Sequence, residues 1–477
     1  MTEQTDPAAG APVVKIGLLG RGTVGGAFHD LVADRADAVA ASVGARPEIS
    51  GVLRRSEGSF EEILAASDLI VELIGGTEPA REYVLAALAA GKPVVSANKQ
   101  LLAQHGDELF AVAREAGVQL RFEAAVAAVI PIVRTIQESF GVTRIEKVYG
   151  IVNGTTNFIL TEMGASGAGY EEVLAEAQRL GYAEADPSDD VSGADAAAKM
   201  AILARLAFHT PVDLAQVPYE GIEAIAPDDL AYARELDLTL KLLGVAERRD
   251  GGISVRVFPC LLYSGHPLAP IEGPFNAVMV EAPAINEVTM SGPGAGGLQT
   301  ASAVLGDVVS ILAGEAPVHE TREELPIVAD VPSAFYLHLE VADRPGVLAR
   351  IATVLGDNDV SIKSVVQRGT GEEARLVMVA HECLESRFAA AVGALAELPE
   401  LRVGQERRNV GKIGRLVDEP ARLRLSAHAS IHRAWVDDPR APGQPRGEQD
   451  PSPSPLAWLL HAADDLRQFA FTANQQG

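Results

Sequence analysis

The feature that most constrains this chain is a short apolar run, VVKIGLLG, that empties into Gly20-Arg21-Gly22-Thr23-Val24-Gly25 and opens a helix. The run is rich in β-branched residues and bounded by glycine, which predicts a buried strand. Gly20 permits a tight turn, Gly22 lets backbone approach a ligand, and Gly25 lets the helix from Gly22 to Val43 pack close to the strand. Thr23 and Val24 lie between them, on a helix N-terminus that attracts an anion. A glycine turn with that strand and helix around it predicts a nicotinamide dinucleotide site for the pyrophosphate.

The rest of the N-terminal half repeats the theme. EISGVLRRS, DLIVELIGG, KPVVSAN and VQLRFEAAV read as strands. FEEILAAS, Pro79 to Ala90 and Leu102 to Ala116 read as helices between them. Strands alternating with helices predict a doubly wound parallel sheet of Rossmann type over 15–142, after a disordered leader at 1–14. From Thr143 the rhythm changes to a strand at RIEKVYGIVNG and helices at Asn157 to Met163, Tyr170 to Leu180 and Ala194 to His209. Extended segments at ISVRVFPCLL and FNAVMVEA and a helix at Gln299 to Ala313 complete an α+β domain over 143–314. A charged linker with three prolines at 315–333 leads into a strand, Pro-Gly turn, helix, two strands, helix and a closing strand near Leu401. That order predicts a ferredoxin-like module over 334–406. The tail, 407–477, degrades into Arg, Pro, Gln and Ser, which predicts disorder.

Composition narrows the function. With 40 basic against 65 acidic residues the net charge is -25, so a nucleic-acid partner is not expected. Cys260 and Cys383 are the only cysteines, which excludes a disulfide framework or thiolate metal site and predicts a reducing, cytoplasmic compartment. The first residues lack a signal-peptide pattern, and the apolar stretches are too short to span a bilayer, so no membrane partner is expected.

Arg54 and Arg55 stand where an NAD-preferring site places a carboxylate for the ribose 2′-hydroxyl. Two guanidinium groups there suit a 2′-phosphate and favour NADP; the alternative is a pair of solvated loop charges. Lys99, at the end of the strand ending Ser96-Ala97-Asn98, falls where open α/β sheets bind ligands; the alternative is a surface lysine in a loop.

The stretch GYAEADPSDDVSGADAAAKMAILARLAFH says most about chemistry. Glu184, Asp186, Asp189 and Asp190 crowd a turn before a helix, either as a capping cluster or, for Glu184 and Asp190, to hold a substrate ammonium. Asp195 and Lys199 then share a face at i,i+4. The helix is apolar nearly all round, so it is expected to be buried, and a buried ammonium suits proton transfer.

GRGTVG, ELIGGTEPA, SANKQLLA, FEAAVAAVIPIV, GIVNGTTNFIL, GYAEADPSDDVSGADAAAKMAIL and GPGAGGLQTASAVLGD occur in order between Lys15 and Ala313. Together they resemble homoserine dehydrogenase, in a monofunctional form with no kinase domain ahead of it. The resemblance implies NAD(P)-linked interconversion of L-homoserine and L-aspartate 4-semialdehyde in threonine, methionine and isoleucine synthesis. It implies that Lys199 exchanges a proton with the substrate oxygen, with Lys99 and Asp195 beside it. Glu184, Asp190, Gly154 and Thr155 would bind substrate, and Gly75, Ser96, Lys99 and Gly296 would join the glycine turn in holding the cofactor. It further implies a monovalent cation, usually sodium, on backbone carbonyls of Glu123, Val126, Ala128 and Ile130. The family's loop there is glycine-rich, whereas Ala127-Ala128-Val129 stand here, and their β-carbons restrict φ.

The module over 334–406 resembles an ACT domain through Asp343-Arg344-Pro345-Gly346-Val347-Leu348 and Asn358-Asp359-Val360-Ser361-Ile362. That resemblance implies a homodimer or homotetramer and feedback by an amino acid, threonine, against the alternative of a ligand-free pairing module. From a different class, a degenerate dehydrogenase serving as a non-catalytic amino-acid sensor remains a competing reading.

Overall fold

In a computed structural model of the protein, the described residues are 10–55, 57–315, 323–371 and 374–399, with the backbone of 431–435. Five parallel strands form the first sheet: β1 (Val13–Leu19), β2 (Arg46–Leu53), β3 (Leu69–Glu72), β4 (Val94–Ser96) and β5 (Leu120–Arg121), in the order β2-β1-β3-β4-β5. Their inner residues are buried on both faces, as continuous apolar runs in a parallel sheet require. Helices α1 (Thr23–Val43), α2 (Phe60–Ala66), α3 (Ala80–Ala89) and α4 (Lys99–Ala116) connect them. The chain leaves β1 toward β2 on one side and returns to β3 on the other. The crevice beyond the ends of β1 and β3 is therefore a switch point, where such sheets bind ligands.

Three expectations shift here. β1 begins at Val13, inside the proposed leader, whose residues 1–9 lie outside the described residues. Lys99 opens α4 rather than sitting in a loop, because the Asn98 side chain accepts from Leu101 N and caps the helix three residues earlier than its apolar period suggests. Beyond β5 the backbone tightens into a short 3-10 turn at Glu123–Ala125 and a single helical turn α5 (Ile132–Arg134) instead of extending the strand.

The second sheet is antiparallel over β6 (Lys147–Ile151), β7 (Leu238–Arg249), β8 (Gly252–Tyr263), β9 (Phe275–Ala282) and β10 (Asn286–Pro293), ordered β10-β9-β6-β7-β8. Helices α6 (Gly154–Ser166), α7 (Tyr170–Leu180), α8 (Ser188–Val191), α9 (Ala194–Phe208) and α10 (Pro227–Glu235) follow β6 in the chain. α9 packs on β6, β7, β8 and α4, which explains why its sequence is apolar all round. Last, α11 (Gly297–Leu312) returns to the first sheet and packs along α1.

Much of the proposed linker is not free. Ile253 N donates to Pro326 O at 2.9 Å and Val328 N to Ile253 O at 2.7 Å, pinning 326–328 beside β8; residues 316–322 lie outside the described residues. The ferredoxin-like module follows as β11 (Pro332–Glu340), α12 (Val347–Asp357), β12 (Ile362–Arg368), β13 (Arg375–Ala380), β14 (Cys383–Leu384) and α13 (Glu385–Ala396). The expected closing strand near Leu401 lies outside the described residues. The edge beside β11 is taken by β15 (Ile431–Trp435), a strand within the proposed disordered tail, which also pairs with β8. The remainder of the tail lies outside the described residues.

Candidate active site

The glycine turn is shaped by three different demands. Gly20 has φ +97°, and a Cβ there would stand 2.6 Å from Leu73 O. A Cβ on Gly25 would stand 2.1 Å from Gly20 O, so the third glycine is what lets α1 sit on the turn. At Gly22 a Cβ would meet no protein atom within 4 Å. α1 has neither a side-chain cap nor an acidic residue in its first turn, so its leading N–H groups keep their capacity for an anion. This open glycine beside uncapped donors fits a pyrophosphate. Gly297, just after Gly296, brings the start of α11 against Thr23 on the same rim.

Across the crevice, Gly75 and Gly76 take φ +79° and +72° with no protein atom within 4 Å of a Cβ. Ser96 is fully buried and gives its hydroxyl to Glu72 at 2.7 Å, so that side chain faces the protein rather than the crevice. Arg54 and Arg55 do follow β2 as expected, but Arg54 already pairs with Glu57 at 2.9 Å; Arg55 is exposed.

The two lysines singled out in the sequence meet on one carboxylate. Asp195, nearly sealed from solvent, accepts from Lys199 Nζ at 2.7 Å and from Asn153 Nδ2 at 2.8 Å, and Lys99 Nζ donates to its other oxygen. Lys199 also donates to Val152 O at 2.8 Å. The ammonium on the apolar helix is therefore paired on arrival. The side chains of Lys99 and Lys199 are 34% and 12% exposed, so the cluster reaches solvent rather than filling a core.

Burial works against ionising Asp195, yet Lys199 and Lys99 beside it hold its carboxyl well below the usual range. Burial likewise opposes the charge on Lys99, but Asp195, with Asp190 and Asp189 behind it, lifts its pKa above the ordinary value. Asp190 is pushed up by burial and by Asp195, and Asn153 Nδ2 donates to it at 2.7 Å.

Asn153 joins these elements and was not singled out in the sequence. Its Oδ1 caps α6 through Thr156 N at 2.8 Å while its Nδ2 bridges Asp190 and Asp195. An Asn directly before a helix is a readable N-cap; its second task needs tertiary structure. Gly154 begins α6, where a Cβ would strike Pro274 O at 2.8 Å, and Thr155 donates to Tyr182 O at 2.7 Å. Glu184 is exposed on the turn after α7, and among the described residues no hydrogen bond or ion pair ties its side chain to the lysine cluster.

The loop proposed to bind a cation keeps its strained shape despite its alanines: Ala127 and Ala128 take φ 56° and 49°. Val126 and Ala128 are buried, and among the described residues no hydrogen bond is made to their carbonyls; Ile130 O accepts from Ile132 N at 2.7 Å. Two buried acceptors without donors, in a loop bent to expose them, fit a monovalent cation. Glu123 lends a carbonyl to Val126 N at 3.3 Å, while its carboxylate turns away to Val133 N and Arg134 N at 2.9 and 2.8 Å.

The ferredoxin-like module docks on α10. His338 Nδ1 lies 3.0 Å from Asp229 Oδ1 in a buried pair, Arg368 reaches Glu235 at 2.6 Å, and Arg375 pairs with Asp228. α10 in turn packs on α6, the helix that starts at Gly154.

Known proteins resemble this chain in sequence and fold. The homoserine dehydrogenase family pattern matches residues 131–309, the homoserine dehydrogenase NAD-binding domain 20–123, and the ACT domain 336–400. A homoserine dehydrogenase of Corynebacterium glutamicum is 44% identical over 416 residues, covering 82% of this chain and 94% of its own. The crystal structure of a homoserine dehydrogenase from Thiobacillus denitrificans superposes with a TM-score of 0.78 at 36% identity, covering 88% of this chain and 98% of that one. A hyperthermophilic archaeal homoserine dehydrogenase in complex with NADPH gives a TM-score of 0.57 at 26% identity, covering 64% of this chain and all of that one.

Proposed function

The chain belongs to the homoserine dehydrogenase family and is an oxidoreductase with an ACT domain, and from that premise we propose that it interconverts L-homoserine and L-aspartate 4-semialdehyde with NADP in threonine, methionine and isoleucine synthesis. The observation that carries the proposal is the meeting of Lys99, from the dinucleotide half, and Lys199, from α9, on Asp195.

The bound nicotinamide supplies the hydride acceptor or donor. In the oxidation direction the substrate hydroxyl loses its proton as its carbon loses hydride, so a basic group must stand at that oxygen. Lys99 is held charged by Asp195, Asp190 and Asp189 and serves as the fixed cation beside the developing carbonyl. Lys199, bound on its other side to the neutral Val152 carbonyl, gives its proton to the substrate oxygen in the reduction direction; in the oxidation direction it first loses that proton to solvent and then takes one from the substrate hydroxyl. Asp195 orients both. Asp190 and Glu184 are assigned to the substrate ammonium, and Gly154 and Thr155 to the substrate at the α6 N-terminus. Arg54 and Arg55 support NADP over NAD, with Arg54 exchanging Glu57 for the 2′-phosphate. The carbonyls of Glu123, Val126, Ala128 and Ile130 hold sodium.

Docking of the ACT domain on α10, and of α10 on α6, supports control of the site by the ACT domain, with threonine as the proposed effector and a homodimer or homotetramer as the proposed assembly. Homoserine-dependent reduction of NADP and of NAD, followed spectrophotometrically with and without millimolar threonine, tests the whole reading. Turnover with NADP at least tenfold more efficient than with NAD is expected, with loss of rate in threonine. Threonine binding without turnover of homoserine by either cofactor would instead establish the non-catalytic sensor.

A further inference from the structure

Glu72 is a buried carboxylate outside the lysine cluster that the reaction itself does not use. It ends β3 with none of its surface exposed. Its Oε1 accepts from Ile74 N at 2.7 Å and Gly75 N at 3.3 Å, and its Oε2 accepts from Ser96 Oγ at 2.7 Å. The Ser96 hydroxyl in turn accepts from Asn98 N at 3.1 Å. Asn98 completes a ring: its Nδ2 donates to Gly76 O at 2.6 Å while its Oδ1 caps α4, the helix that begins with Lys99.

Segment 73–76 is thus gripped at both ends, by Glu72 through two N–H groups and by Asn98 through a carbonyl. That segment is the wall opposite the glycine turn. Leu73 O lies 2.6 Å from where a Cβ on Gly20 would be, and the left-handed Gly75 and Gly76 have no protein atom within 4 Å of a Cβ. The same ring fixes the first residue of α4, so the distance between the dinucleotide wall and the Lys99 ammonium is set by one network. Ile74 N and Gly75 N can only donate, and Ser96 Oγ, already accepting from Asn98 N, turns its proton to Glu72, so a carboxylate serves all three donors. Burial pushes its pKa up, and the donors Ser96, Ile74 and Gly75 pull against that shift.

We propose that Glu72, acting through Ser96 and Asn98, is a positioning residue that locks the 73–76 wall of the dinucleotide crevice and the Lys99 end of α4 into one unit. The proposal rests on the reading that this crevice holds the nicotinamide dinucleotide, not on the identity of the hydroxy substrate.

The test uses the full chain and four forms: wild type, Glu72→Gln, Ser96→Ala and Ser96→Thr. Binding of NADPH and NADH is followed by their fluorescence, alongside kcat, KM for homoserine and melting temperature. Glu72→Gln is expected to weaken dinucleotide binding by about tenfold or more and to lower kcat, because an amide nitrogen facing Ser96 Oγ leaves the Ser96 proton without its acceptor, while the opposite amide orientation turns donors on Ile74 N and Gly75 N. Ser96→Ala should weaken binding several-fold, and Ser96→Thr, which keeps the hydroxyl, should restore it to within about twofold of wild type. KM for homoserine should move less than dinucleotide affinity. A purely structural role predicts lower melting temperatures with wild-type dinucleotide affinity in both Glu72→Gln and Ser96→Ala, and that result would overturn the proposal. Ser96→Thr behaving like Ser96→Ala would overturn it as well, and the serine pair decides the matter should Glu72→Gln fail to fold. Because binding is read without homoserine, absence of homoserine turnover by wild type would sink the proposed reaction while leaving this measurement intact.

Discussion

Among the buried carboxylates of the described residues, two groups differ in the outcome of burial. Asp195 is held well below the ordinary carboxylate range, because two ammonium groups and an amide converge on it. Glu123 and Asp307 are buried to a similar depth, yet burial pushes them up to about 7 and about 6. Backbone N–H groups of Val133 and Arg134 serve Glu123, Glu123 N serves Asp307, and the Arg134 guanidinium approaches Asp307 only to 3.6 Å. Depth alone therefore does not set ionisation; formal positive charge in contact does, and N–H groups only partly replace it. The first group keeps a fixed negative charge between two lysines. The second, beside a loop with two buried carbonyls lacking donors, is short of positive charge where a cation is proposed.

Removing an ammonium from the first group should have the largest effect. Lys199→Ala is expected to lower kcat by about 10²–10⁴-fold with little change in NADPH affinity. Activity within tenfold of wild type would remove Lys199 from proton exchange. Asp195→Asn attacks the comparison itself, since it leaves two ammonium groups without their anion. A loss of about 3 kcal/mol is expected by chemical denaturation at neutral pH, at the lower end for a broken buried pair because Lys99 is partly exposed. The sign with pH is specific. The folded pKa of Asp195 is depressed, so its stabilisation is present above the unfolded value of about 4 and fades as pH falls toward the folded one. The gap between wild type and Asp195→Asn should therefore narrow below about pH 4. A gap that stays constant from neutral pH down to about 3 would show that Asp195 does not owe its stabilising effect to charge.

For the second group the test is replacement of the cation. Exchanging sodium for tetramethylammonium at constant ionic strength should lower the melting temperature by a few degrees. A site filled at about ten times its Kd stabilises by about 1.4 kcal/mol. Identical melting curves in sodium, potassium and tetramethylammonium would mean that the carbonyls of Val126 and Ala128 hold no ion that matters to the fold.

How much of this was legible differs between the two halves for a physical reason. In the parallel half, strands are buried on both faces and read as unbroken apolar runs between helical periods, so β1 to β4 and their helices stood out. In the antiparallel half, β7 and β10 and the helix α10 went unread. The signal for β7 was present: Asp250-Gly251, with Gly251 at φ +85°, turns β7 directly into β8. β10 is an exposed edge whose polar alternation resembles a loop. The site was legible one residue at a time, as Lys99, Asp190, Asp195 and Lys199, because each carried an unusual charge. Its joinery was not: Asn153, Glu72 and Asn98 look like an ordinary cap, strand end and cap. Their second contacts span 22 to 42 residues of chain, which no local pattern encodes.

The smallest expected effect concerns the backbone of the cation loop. Ala127 sits at φ 56°, where a β-carbon costs about 1–2 kcal/mol. Glycine removes that strain but gives the unfolded chain more freedom, which returns about 0.4–1 kcal/mol. Ala127→Gly should therefore stabilise by about 0.5–1 kcal/mol, or about 1–3 °C in melting temperature. The gain should persist in tetramethylammonium, because the strain belongs to the backbone and not to the ion. A gain seen only in sodium would mean instead that Ala127 strains the loop only when a cation draws it in, and would place the ion closer to residue 127 than its neighbours' carbonyls imply. Destabilisation in both buffers would show that the Ala127 methyl, itself buried, contributes more through packing than its conformation costs.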